Sequence, residues 1–285
     1  MISFCVYFFT AHYTLFMVVA GTTMLGATCG LLGTFGLLKG HSLFGDAISH
    51  AALPGVACAF LLTHSKNPAI LMAGGAITGA LATVCLFIAQ RFTRLKLDTL
   101  LGTLLSVFFG LGLIGMTLIQ KLPLPNQAGL NKFIFGSAAT LMPQDVYCMA
   151  FICCIVIMCL ACTWKEVCLV TFDTVFAHAA GYRLAWIDCM LSCLLILIIA
   201  VGLQTVGVIL MSALLIAPAA AARQWTTQIR SMAACASCIG GISCLLGACM
   251  SYHVEHVPTG PIIVVLVTSV AFVSLYITPS RIKTV

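Results

Sequence analysis

Charge is scarce in this chain of 285 residues: 13 Lys and Arg and 7 Asp and Glu, 7% charged in all, against 62% hydrophobic residues and a mean hydropathy of +1.16. A soluble domain carries about 25% charge, so a water-soluble domain is excluded and a single polytopic membrane domain over 1–285 is expected. The sequence contains no GxxxxGK[ST] loop to cradle a nucleotide phosphate, and neither HExxH nor GxSxG, which excludes ATP hydrolysis by that route and two motif-borne hydrolytic chemistries. No internal repeat is visible, which argues against a transporter built from inverted halves. No Lys or Arg precedes the first apolar run, so a signal peptide is not expected and the N-terminus is assigned to the mature protein.

What is abundant is apolar length. Nine segments can cross the hydrocarbon core: Tyr13 to Leu38, Leu43 to Leu62, Pro68 to Gln90, Thr99 to Ile119, Val146 to Thr163, Ala185 to Leu203, Val206 to Ala222, Met232 to Tyr252 and Gly260 to Ile277. The fold class is therefore all-α, a polytopic membrane bundle of eight or nine helices. Gln204 and Thr205 make the tightest division, and eight spans with a broken helix is the competing count. With the Arg91, Arg94, Lys96 loop in the cytoplasm, alternation puts ten cations inside (those three with Lys39, Lys165, Arg183, Arg223, Arg230, Arg281 and Lys283) and three outside (Lys66, Lys121, Lys132). That asymmetry obeys the positive-inside rule, with the N-terminus outside and the C-terminus cytoplasmic, and cations so scattered give no nucleic-acid surface.

Glycines recur at helical spacing (Gly26, Gly30, Gly33; Gly74, Gly75, Gly79; Gly102, Gly110, Gly112; Gly240, Gly241, Gly247), as expected where helix backbones approach closely. The sixteen cysteines fall mostly in apolar runs, where Cys is a small hydrophobe, and the Cys235 and Cys238 pair lacks the partner ligands of a zinc site.

Asp46 and His50 stand apart as the acid and the histidine well inside a long apolar stretch, LFGDAISHAALPGVACAFLL. A carboxylate at mid-bilayer costs about 2.5 to 3.5 kcal/mol, so an intramembrane acid one turn from a histidine points to function. At i and i+4 both side chains leave one helix face, in the inner half of the second span. Carboxylate oxygen with imidazole nitrogen suits Mn2+, Fe2+ or Zn2+, whereas Ca2+ would take oxygens alone. Pro54 cannot donate to the His50 carbonyl, so a kink is expected there, and small Gly45, Ala47, Ala51 and Ala52 are read as room for an ion. His253, Glu255 and His256 form a possible outer capture cluster for metal. Asp145 and Asp188, at span ends, read as ordinary helix-terminal acids.

GDAISHAALPGVACAF (Gly45 to Phe60) resembles the second-helix signature of permease subunits of bacterial manganese and zinc ATP-binding-cassette importers. FDTVFAHAAGY (Phe172 to Tyr182), GVILMSALLIAPAAAAR (Gly207 to Arg223) and VPTGPIIVV (Val257 to Val265) match the same family in the same order. The resemblance implies a type II-like importer permease in the cytoplasmic membrane that works as a homodimer or heterodimer. It implies three partners: a cytoplasmic ATP-binding subunit that uses the ATP, a second permease and an extracytoplasmic metal-binding protein. The metal is cargo, with no permanent cofactor, and Asp46 and His50 take the positions of the intramembrane ligands. Residues near 171–182, among them Phe172, Asp173, Ala177 and Gly181, take the place of the coupling helix that docks on the ATPase. A gradient-coupled secondary metal transporter, in which Asp46 titrates, is the alternative.

Overall fold

The computed structural model describes residues 13–40, 43–65, 67–121, 141–253 and 259–277, and among them every regular element is helical. In chain order these are α1 (Tyr13–Leu38), α2 (Phe44–Thr63), α3 (Pro68–Phe92), α4 (Leu97–Lys121), α5 (Pro143–Cys162), α6 (Trp164–Phe172), α7 (Thr174–Ala179), α8 (Leu184–Val206), α9 (Val208–Trp225), α10 (Ile229–His253) and α11 (Thr259–Ile277). All but α6 and α7 are long and apolar enough to span a membrane, which gives nine candidate spans among the described residues. Helix is forced here because lipid offers no partner to a free backbone group. Ser and Thr hydroxyls within the spans follow the same rule: Thr22 donates to Val18 O at 2.7 Å and Thr83 to Gly79 O at 2.9 Å.

Helix ends carry the expected signals. Asn67 caps α3 by accepting from Ala69 N at 3.1 Å, with Pro68 in the first turn. Asp145 accepts from Met142 N at 3.1 Å, the ordinary role of an acid in a first turn.

The division of the sixth and seventh spans differs from the expected one. Helix α8 runs through Gln204 and Thr205 and stops at Gly207, whose φ of +83° and ψ of 168° lie in a region essentially closed to residues with a Cβ. One glycine makes the reversal, and the described residues favour nine spans over eight.

Two features show which helix ends share one face of the bundle. Leu38, Phe172, Arg223, Trp225, Met232 and Ile277 line a single cavity of about 630 Å³. Lys39, just after α1, pairs with Asp188 near the start of α8. The ends of α1, α6, α9 and α11 and the starts of α8 and α10 therefore meet, so α8 runs away from this face and α9 returns to it.

Packing inside the bundle is set by close backbone approach. A Cβ on Gly26 would lie 2.7 Å from Gly240 O, and Gly30 faces the backbone of Ala236, so α1 and α10 cross at glycines. Helices α2 and α3 cross where Gly55 meets Gly74, and α2 meets α4 where a Cβ on Gly112 would lie 2.8 Å from Leu53 Cβ. Gly102 and Gly110 carry nothing within 4 Å of a Cβ and take no part in such crossings.

Candidate functional site

Helix α2 is continuous from Phe44 to Thr63 with Pro54 inside it, and it contains both members of the carboxylate–imidazole pair. Asp46 lies in the first turn, where the positive end of the helix dipole favours a carboxylate. His50 follows one turn deeper, with Nε2 3.4 Å from Asp46 Oδ1. The two side chains are 20% and 25% exposed for His50 and Asp46, open enough for an ion to reach. The His50 ring meets the Phe109 ring of α4 edge to face, with centroids 4.8 Å apart, and its Nδ1 is buried with no hydrogen-bond partner.

The separation has chemical meaning. Two ligand atoms each about 2.1 Å from one tetrahedral ion stand about 3.4 Å apart. An octahedral ion with bonds of about 2.1 Å would need about 3.0 Å. The observed 3.4 Å therefore matches the tetrahedral edge and reaches the octahedral one with a small rotation of either side chain. The described residues hold no group of three or more His, Cys, Asp or Glu able to bind a metal, so this chain offers a pair and not a complete shell.

Gly45, Ala47, Ala51 and Ala52 do not make room for an ion. They are buried against neighbouring helices: a Cβ on Gly45 would lie 2.6 Å from Leu215 Cδ1 of α9, and Ala52 packs on Gly75 of α3. The open side of the pair is the partly exposed strip of α2 that carries Asp46 and His50.

A second site is built at the face where Leu38, Phe172 and Arg223 meet. Helix α7 is a single capped turn: Asp173 Oδ1 accepts from Phe176 N at 2.8 Å. At its other end Tyr182 N donates to Ala177 O at 3.0 Å and Gly181 N to His178 O at 3.1 Å, with Gly181 at φ +86°. That is a Schellman closure, which needs a residue at ease with positive φ. Ala177 is fully buried and anchors the turn to the body, while Phe172, Val175 and Phe176 point outward at 68%, 79% and 58% exposure. Among the four residues singled out in sequence, then, Phe172 faces out, Asp173 and Gly181 shape the turn and Ala177 faces in. Val175 and Phe176 are the outward pair that residue types alone did not single out.

Asp188 is not the plain span-end acid expected from sequence, since it pairs with Lys39. His253 closes α10, and Glu255 and His256 lie outside the described residues.

Among the described residues, a bundle of nine span-length helices defines a class, that of multi-pass membrane proteins. The model of the ABC 3 transport family matches residues 11–278. Over 95% of its length the chain is 44% identical to the zinc transport system membrane protein TroC of Treponema pallidum, covering 91% of that protein. It is 40% identical over 93% of its length to the manganese transport system membrane protein MntC of Bacillus subtilis, of which it spans 61%. The solved structure of PsaBC from Streptococcus pneumoniae in complex with Fab superposes with a TM-score of 0.84 at 28% identity, covering 99% of this chain and 98% of that one. The chain belongs to the ABC 3 transport family and is a permease of the ABC type, which sets aside the gradient-coupled alternative.

Proposed function

We propose that this permease conducts a divalent transition metal, manganese, zinc or iron, inward across the bacterial cytoplasmic membrane, with Asp46 and His50 as its ligands. The observation that carries the reading is the 3.4 Å pair on the open face of α2. An imidazole nitrogen and a carboxylate oxygen at the spacing of two ligands on one ion are the donor set of borderline divalent metals. Two ligands leave the shell incomplete, so a second permease facing the open side of α2 supplies the rest. Pro54 deprives the His50 carbonyl of its helical donor and gives α2 a place to bend as the bundle changes state.

Energy enters from a separate ATP-binding subunit docked at the corner of α6 and α7, where Phe172, at the end of α6, and Val175 and Phe176 of α7 offer an apolar contact. The bundle end that carries α7 also carries Lys39, Arg91, Arg183, Arg223 and Arg230, so by the positive-inside rule it faces the cytoplasm. The single membrane domain then has its N-terminus outside and its C-terminus inside. An extracytoplasmic binding protein delivers metal at the opposite end, where α10 leads into His253, Glu255 and His256.

The test is metal bound by the purified importer, read by equilibrium dialysis with manganese or zinc. Asp46→Ala and His50→Ala are each expected to weaken binding by at least about tenfold, since even outer-shell changes cost 10- to 100-fold. Unchanged affinity in both variants would reject the ligand assignment. Vesicles holding this chain without an ATP-binding partner are expected to accumulate no metal.

A further inference from the structure

Lys39, just after α1, pairs with Asp188 near the start of α8, a link between two parts of the bundle, whereas the Asp46 and His50 pair lies within α2. The ammonium is well shielded at 13% exposure and the carboxylate half-exposed at 41%. Asp188 sits in the opening turns of α8, directly after the closure at Gly181 and Tyr182 that ends α7. Its backbone oxygen also accepts from Ser192 Oγ at 2.8 Å. Lys39 sits on the other side of the junction, where Gly40 at φ +72° turns the chain from α1 towards α2.

Beside the pair lies a cavity of about 260 Å³, walled by Phe35, Phe44, Gln90 and Leu191 among others. Phe44 is the first residue of α2, in the same turn as Asp46. A packed interior transmits displacement, and it can rearrange only where there is space to move into. Here an ion pair bridges α1 and α8 while the space next to it borders α1, α2, α3 and α8. The covalent path from α7 to α8, the ion pair, and the cavity wall that Lys39 and Asp188 share with Phe44 make one route from the docking turn to the start of α2.

We propose that Lys39 and Asp188 are positioning residues that carry displacement of the docking helix to the start of α2, and so set how much metal moves per ATP consumed. The inference rests on the docking and ligand roles proposed above. A pair that merely held α1 to α8 would matter for stability and not for this ratio, so the ratio is the measurement that separates the two roles.

The experiment uses the whole importer in proteoliposomes, with the ATP-binding subunit, the second permease and the binding protein, and manganese or zinc as the transported probe. Metal uptake and ATP hydrolysis are read in parallel. Lys39→Met and Asp188→Asn are each expected to keep ATP turnover within about twofold of the parent. Their metal moved per ATP is expected to fall by about tenfold. The exchanged pair, Lys39→Asp with Asp188→Lys, is expected to restore most of that loss. An unchanged ratio in the single variants overturns the proposal, as does an exchanged pair no better than either single. If the neutral variants do not assemble, Asp188→Glu decides: it keeps the charge but lengthens the link, and is expected to assemble with a lowered ratio. A parental ratio in Asp188→Glu overturns the proposal. Asp46→Ala in the same vesicles tests the ligand reading separately, and Phe176→Asp, read by loss of the ATP-binding subunit, tests the docking reading.

Discussion

Gly74→Ala puts the helix-crossing account under direct strain. A Cβ at this position would lie 2.5 Å from Gly55 O and 2.6 Å from Ala59 Cβ, both on α2. Neither neighbour is the far end of a flexible side chain, so α2 and α3 must part. Reaching an ordinary separation of about 3.4 Å requires a shift of about 0.9 Å, which forfeits a quarter to a half of each dispersion contact along the crossing. Overpacking of this kind costs about 1 to 3 kcal/mol, partly offset by the gain of about 1 kcal/mol when Ala replaces Gly inside a helix. Gly110→Ala makes the same chemical change where nothing lies within 4 Å, so only the gain remains. The two variants are therefore expected to move thermal stability in opposite directions, by about 2 to 4 °C for each kcal/mol. The assay is the midpoint of heat-induced loss of the monodisperse peak in detergent. A Gly74→Ala midpoint at or above that of Gly110→Ala would refute the claim that backbone contact at Gly55 and Gly74 sets the α2–α3 packing.

Gly207→Ala imposes a Cβ at φ +83° and ψ 168°, at a cost of about 1 to 3 kcal/mol, and is expected to lower both folded yield and melting midpoint. Asp173→Ala removes the cap on Phe176 N, worth about 1 kcal/mol, and is expected to reduce co-purification of the ATP-binding subunit without changing membrane insertion. Phe176→Asp is expected to abolish that co-purification while the permease remains folded. Burial pushes the Cys168 thiol up, and the nearby Arg230 charge pulls it part of the way back. A raised thiol is less ionised at a given pH, so Cys168 is expected to alkylate more slowly than a free cysteine at mildly alkaline pH, and more slowly still in Arg230→Gln; peptide-level mass spectrometry of iodoacetamide labelling reads the rate.

Length and apolarity made the spans legible, because a lipid-crossing helix must be both long and nearly uncharged whatever it packs against. The same two properties say nothing about which glycine ends a helix. Gly207 looks like any other glycine in an apolar run until its φ is known, which is why the division was expected at the more polar Gln204 and Thr205. Composition likewise treats Gly74 and Gly110 alike, although one lies against a backbone and the other against nothing. Partnership across the chain was equally hidden: Asp188 and Lys39 are 149 residues apart, and no local pattern links them. At the α7 turn the residue types were readable, but Ala177 in and Val175 and Phe176 out is a matter of which face meets the body.

The position of Asp46 changes the energetic reason for singling it out. A carboxylate at the bilayer centre would cost about 2.5 to 3.5 kcal/mol, but one in the first turn of α2 gains about 0.3 to 1 kcal/mol from the helix dipole and stands near the inner membrane boundary in the proposed orientation. The acid alone is therefore a weaker anomaly than its apolar surroundings suggest. The stronger one is His50, a turn deeper, with Nε2 toward the carboxylate and Nδ1 buried against no acceptor. A neutral imidazole in a purely structural role would be expected to satisfy that second nitrogen. A buried Nδ1 without an acceptor fits a ring whose partner comes only when the site rearranges around an ion or the facing subunit. Metal would then be held close to the cytoplasmic end, so that inward release requires only a short movement at the start of α2, where the Lys39 and Asp188 link ends.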